Sequence, residues 1–106
     1  MSTRSSALTP LMRASAIGHE AIVKDLLVDG VDVNVKGPRG STALMFAASS
    51  GSLEIVQALV ENGAEIDVAE EGGWTARRHA EEAGFEDVAK FLSRAERYSA
   101  ALTSLL

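Results

Sequence analysis

The sequence predicts an all-α fold: a solenoid of three helix-turn-helix units separated by β-turn fingers, with a C-terminal helical extension. Three observations carry that expectation. Thr9, Thr42 and Thr75 stand 33 residues apart (42 − 9 and 75 − 42), and the same interval separates Gly18, Gly51 and Gly84, Ala14, Ala47 and Ala80, and Leu26, Leu59 and Leu92. A fixed period of this size marks a stacked-repeat architecture. Within each period, Ile22, Val23, Leu26 and Leu27, then Ile55, Val56, Leu59 and Val60, follow the i, i+1, i+4, i+5 spacing of one helical face. Finally, 106 residues with 46% hydrophobic content suit one domain with a thin core, which stacked short units use efficiently.

Each unit is expected to open at its threonine, whose hydroxyl can accept from an orphan N–H of a helix start, and Pro10 suits the first helical position. The first helix ends at Gly18, Gly51 or Gly84, where glycine takes the left-handed conformation without a Cβ penalty. A second, antiparallel helix carries the aliphatic face and ends at Gly30 or Gly63. Segments 31–40 and 64–73 are polar and turn-rich, and are expected to project as fingers. The units fall at about 7–39, 40–72 and 73–97, making 1–97 one domain with 98–106 as a tail.

The copies read TPLMRASAIGHEAIVKDLLVDGVDVNVK, TALMFAASSGSLEIVQALVENGAEIDVA and TARRHAEEAGFEDVAKFLSRA. This pattern resembles the ankyrin repeat, whose period is 33 and whose signature is T-P-L-H-x-A. The resemblance runs from about Ala7 to Ala95. Met12 and Met45 stand where the signature has His, so its hydrogen bonds to neighbouring loops are missing. Arg77 and Arg78 replace the apolar pair Leu44 and Met45, and Asp25 stands where later copies have Ala58 and Phe91. Polar substitutions at the two ends are those of capping units that no neighbour covers.

The resemblance implies a non-catalytic module, of the scaffold type, that binds a partner protein through its concave face and finger loops. A small inhibitor or regulatory subunit occluding an enzyme is the alternative within the binding class. By register, the expected contact set is Arg13, Ile17, Arg39, Ser41, Phe46, Ser49, Ser50, Trp74, His79 and Glu82. Aromatic and arginine side chains dominate binding hot spots, which singles out Phe46 and Trp74 flanked by Arg13 and Arg39. His19, in a Gly-His pair, is expected to open the second helix rather than to react.

Other functions find little support in the sequence. A formal charge of −5 opposes phosphate attraction, so no nucleic-acid partner is expected. The net charge sits in residues 41–72, where Glu54, Glu61, Glu65, Asp67, Glu70 and Glu71 meet no Lys or Arg, and a solvated acidic face is the simplest account. No stretch approaches the ~20 apolar residues of a membrane span, and MSTRSSALTPLMR lacks a secretory apolar stretch, so no membrane partner and a cytoplasmic location are expected. The chain has no Cys, which removes disulfides, thiolate metal sites and a cysteine nucleophile. His79 and Glu82, three apart on a helix, would supply two ligands to a metal hydrolase; two ligands do not make a site, and no metal or other cofactor is expected. No Gly-x-Ser-x-Gly elbow or phosphate loop occurs. In the tail YSAALTSLL, Ala101, Leu102, Leu105 and Leu106 form an apolar helical stripe, expected to cover the last unit or, failing that, to support weak self-association.

Overall fold

The computed structural model of the chain describes residues 7–105, so Leu106, last in the tail's apolar stripe, lies outside the described residues. Six helices follow in order: α1 (Pro10–Ile17), α2 (Glu20–Val28), α3 (Ala43–Ser50), α4 (Leu53–Glu61), α5 (Ala76–Ala83) and α6 (Glu86–Leu105), with a 3-10 turn at Pro38–Gly40. α1, α3 and α5 start 33 residues apart, as do α2, α4 and α6, so the sequence period is the structural one. Each pair packs as a hairpin; α1, α3 and α5 stack as one layer and α2, α4 and α6 as the other.

Local signals account for most boundaries. The Thr9 hydroxyl accepts from Met12 N–H at 3.1 Å and that of Thr75 from Arg78 N–H at 3.2 Å. Thr42 departs from the expectation: it sits at the N-cap of α3 in extended conformation but makes no capping bond through its side chain. That helix is held by packing instead, with Ala43, Leu44, Met45, Ala47 and Ala48 all buried. His19 caps α2, its Nδ1 accepting from Ile22 N–H at 3.4 Å. Gly51 ends α3 at φ 75°, and a Cβ there would come within 2.6 Å of the Phe85 ring, so both backbone and packing demand glycine. α2 and α4 are capped at their C-terminal ends by Asp29 and Asn62, one residue before the glycines expected to end them.

The core lies between the two layers and is centred on the middle unit. Val23, Leu44, Ile55, Val56, Leu59, Val88 and Leu92 are fully buried there. Leu26 was expected to match Leu59 but is only partly buried, and Ile22 is 43% exposed. Both belong to the first unit, where among the described residues α2 packs on α1 and α4 and no earlier unit covers its other side. Met12 and Met45 are buried, and the Met12 sulfur packs against the first finger so closely that a Cβ on Gly37 would lie 2.8 Å from it. Where the repeat signature has a hydrogen-bonding histidine, this chain therefore has an apolar plug.

Hydrogen bonds tie neighbouring units at the base and the tip of the fingers. Asn34 donates from Nδ2 to Gly63 C=O (3.0 Å) and accepts at Oδ1 from Glu65 N–H (2.8 Å). At the tips, Glu71 N–H donates to Arg39 C=O at 2.9 Å. The second finger closes on itself through Glu70 N–H to Trp74 C=O (3.0 Å) and an antiparallel bridge between Ala69 and Thr75.

The tail corrects the expectation of a cover. α6 does not stop near residue 94, where the register of α4 would end it, but runs straight on to Leu105. The residue equivalent to Gly63 is Glu96 (96 − 63 = 33), so nothing breaks the helix. Tyr98, Leu102 and Leu105 are 70%, 48% and 82% exposed, so the extension projects rather than folds over the third unit. Part of the shielding comes from Arg77, whose Nε lies 3.1 Å from both Glu96 carboxylate oxygens while its Nη1 meets Glu81 at 3.0 Å. The bond to Glu96 is the main reason the Arg77 guanidinium holds its proton more tightly than usual.

One buried group is out of place. Ser15 is fully buried and its hydroxyl has no hydrogen-bond partner among the described residues, whereas the equivalent residue of the middle unit is Ala48, also fully buried. An unsatisfied buried hydroxyl costs ~1–3 kcal/mol. Ser15→Ala is accordingly expected to raise stability by about 1 kcal/mol, seen as a higher urea midpoint at unchanged slope. A lower midpoint would show that the hydroxyl is satisfied.

Candidate functional site

The finger tips and the first helices of the second and third units converge on one concave region. On the first finger, Gly37 N–H donates to Ser41 C=O (2.8 Å) and the Ser41 hydroxyl to Pro38 C=O (2.7 Å), closing a tight turn around Arg39. Arg39 sits at φ 60°, ψ 22°, the one non-glycine residue in the left-handed region among those described. Such a conformation costs on the order of 1 kcal/mol and persists where surrounding bonds impose it. Here the bond from Glu71 N–H to the Arg39 carbonyl is one of them.

Beside that turn lies a cleft of about 220 Å³ lined by Pro38, Arg39, Ser41, Met45, Phe46, Ser49, Glu70 and His79. A recess of about 360 Å³ continues past Glu71 and Gly72 to Trp74. Pro38, Met45 and Phe46 make the apolar part of the cleft; Arg39, Ser49 and the Glu70–His79 pair make its polar rim. His79 Nε2 hydrogen-bonds Glu70 Oε1, and both side chains are largely buried. Trp74 is engaged within the chain: the Arg78 guanidinium carbon lies 4.8 Å from its ring centre, and the His79 ring is 5.1 Å away at 56°.

Of the contact set expected from register, Arg39, Ser41, Phe46, Ser49 and His79 line the cleft and Trp74 the adjoining recess. The others are elsewhere. Arg13 and Ile17 are exposed on α1, and Glu82 is exposed on α5, outside both cavities. The Ser50 hydroxyl lies 3.0 Å from Ser15 C=O and 2.9 Å from Ala47 C=O, and so bolts α3 to α1 rather than facing a partner. Ser41 is 6% exposed, and its hydroxyl serves the turn.

Three residues lining the cleft, Pro38, Met45 and Glu70, were absent from the expected set. Met45 is concealed by its role in the core. Glu70 was legible in principle: Gly72 and Gly73 just after it permit a tight return of the chain, and that return brings Glu70 beside His79, nine residues on. His79 therefore pairs with Glu70 and not with Glu82. Among the described residues no three His, Asp or Glu side chains gather as a metal ion would need. Ser49 and His79 share the cleft without a hydrogen bond, so the nucleophile-base pair of a serine enzyme is not formed. The arrangement is suited to receiving a bulky apolar side chain, with charge and hydrogen-bonding groups at the rim.

Comparison with known families matches residues 8–101 to ankyrin repeats, in three copies. No curated protein matches the chain. Repeats of this kind generally mediate protein–protein interaction and are typically non-catalytic. Among the described residues no helix is long and apolar enough to cross a membrane. The match spans most of the chain and all three helical units, and with the shared period and caps it establishes that this protein belongs to the ankyrin-repeat family.

Proposed function

We propose that the chain is a non-catalytic recognition module that grips a partner protein with the concave cleft between the first finger, α3 and α5. One observation carries this reading: residues from two repeats and two fingers meet around a cavity large enough for one bulky side chain, with Phe46 and Met45 inside and Arg39 at its mouth. Anchor side chains seated in such pockets carry most of the energy of many interfaces. The strained backbone of Arg39 supports it, since finger bonds hold that residue in an unfavourable conformation beside the cavity. A cytoplasmic location belongs to the same reading, and a cysteine-free chain is compatible with it.

The test is paired capture from host extract. Ser49 is exposed at the cleft, so Ser49→Arg blocks the cavity without disturbing the core. A protein retained by the wild type and lost by Ser49→Arg, with circular dichroism unchanged, is the expected result. Equal retention of every captured protein by both forms would remove the cleft from the binding surface.

A further inference from the structure

The repeat register itself exposes a second site, which shares no lining residue with the concave cleft. In the first unit, Asn34 clamps the stretch that leaves α4, bonding Gly63 C=O and Glu65 N–H. The equivalent residue of the second unit is Asp67 (67 − 34 = 33), and its partners by the same register would be residues 96 and 98. Those residues are inside α6, their backbone taken up in the helix, because the chain does not leave the helix there. Among the described residues Asp67 has no ion pair or side-chain hydrogen bond, and its side chain is exposed.

What remains is a groove. A cavity of about 500 Å³ lies between 63–68 and Ser99 on α6, whereas at the previous interface the chain leaving α4 is bonded to Asn34. Ile66 and Val68, partly buried against the core, form its apolar floor, and Glu65 and Asp67 are its charged members. No Lys or Arg lines it. Arg97 and Arg94, two and five residues before Ser99, fall on other sides of the helix.

We propose that this groove binds an extended, basic segment of a partner protein, lying where residues 63–65 lie against the first finger. The occupant is extended because the stretch filling the equivalent position is a chain leaving its helix, bound through backbone groups. It is basic because Asn34 could both donate and accept, whereas the Asp67 carboxylate only accepts, so it selects N–H and ammonium groups. Glu65 reinforces that choice, and the floor takes the apolar side chains that alternate with basic ones along a strand.

A short fluorescein-labelled peptide of alternating lysine and valine is the probe, titrated into the full chain by anisotropy, with backbone amide shifts read by NMR. Expected are saturable binding, shifts centred on 63–68 and 99, and affinity about tenfold weaker in Glu65→Lys with Asp67→Lys. The same charge change on α4, Glu54→Lys with Glu61→Lys, should leave affinity nearly unchanged, as should Phe46→Ala in the concave cleft, which separates this site from the other. No binding, equal weakening by both charge-reversed pairs, shifts spread over the acidic middle repeat, or equal affinity for a glutamate-valine peptide would each overturn the proposal.

Discussion

Replacing Leu59 with alanine is expected to lower stability by about 2–5 kcal/mol, the range for a buried leucine whose removal leaves a cavity. Leu59 is fully buried on α4, the central helix of its layer, which packs against both α2 and α6. Domains as a class hold only ~5–15 kcal/mol in reserve, so one such loss consumes much of the stability of a three-unit array. Leu26→Ala, at the equivalent site of α2, should cost well under half as much, because that side chain is only partly buried. Urea unfolding of the two variants measures the difference. A Leu59 variant of normal stability would mean that the aliphatic face of the second helices has been placed wrongly.

The second large effect is on binding. Once a concave-face partner is isolated, Phe46→Ala is expected to weaken it by about 2 kcal/mol, roughly thirtyfold, and adding Trp74→Ala should weaken it further. Phe46 is the cleaner probe because it lines the cleft directly. Trp74 is stacked with Arg78 and His79, so its truncation also loosens the Glu70–His79 side of the recess. Titration calorimetry on variants with unchanged helical content gives the result. Undiminished affinity in the double variant would exclude the concave surface as the main contact.

The fold was legible to the extent that local chemistry determines it. Threonine caps, left-handed glycines and the aliphatic spacing placed the first and second helices of every unit, because each signal acts within a turn or two of where it stands. What the register could not convey was whether a neighbour is present. Leu26 and Leu59 have the same spacing and different burial, since only the second has units on both sides. The end of α6 depended on a missing signal, Glu96 in place of a glycine, which is easily overlooked when searching for residues that match. At the site, side-chain direction was the limit. Phe46 and Ser50 both lie on the first helix of the second unit, yet Phe46 enters the cleft while Ser50 turns toward α1. The Glu70–His79 pair arises from a finger closing on itself, a geometry that residue spacing on one helix does not encode.

The unbroken run of α6 gives the array a direction of growth. Its first outer surface leaves Ile22 exposed where the equivalent Ile55 of the middle unit is buried, and Val28 is exposed beside it. At its last unit the chain runs on as a rod instead of turning out into a third finger. The chain is therefore expected to tolerate lengthening by splicing a duplicate of residues 40–72 between residues 39 and 40, which preserves both ends. Splicing the same module after Leu105 meets no complementary surface, so for a protein engineer α6 is the terminator of a modular assembly.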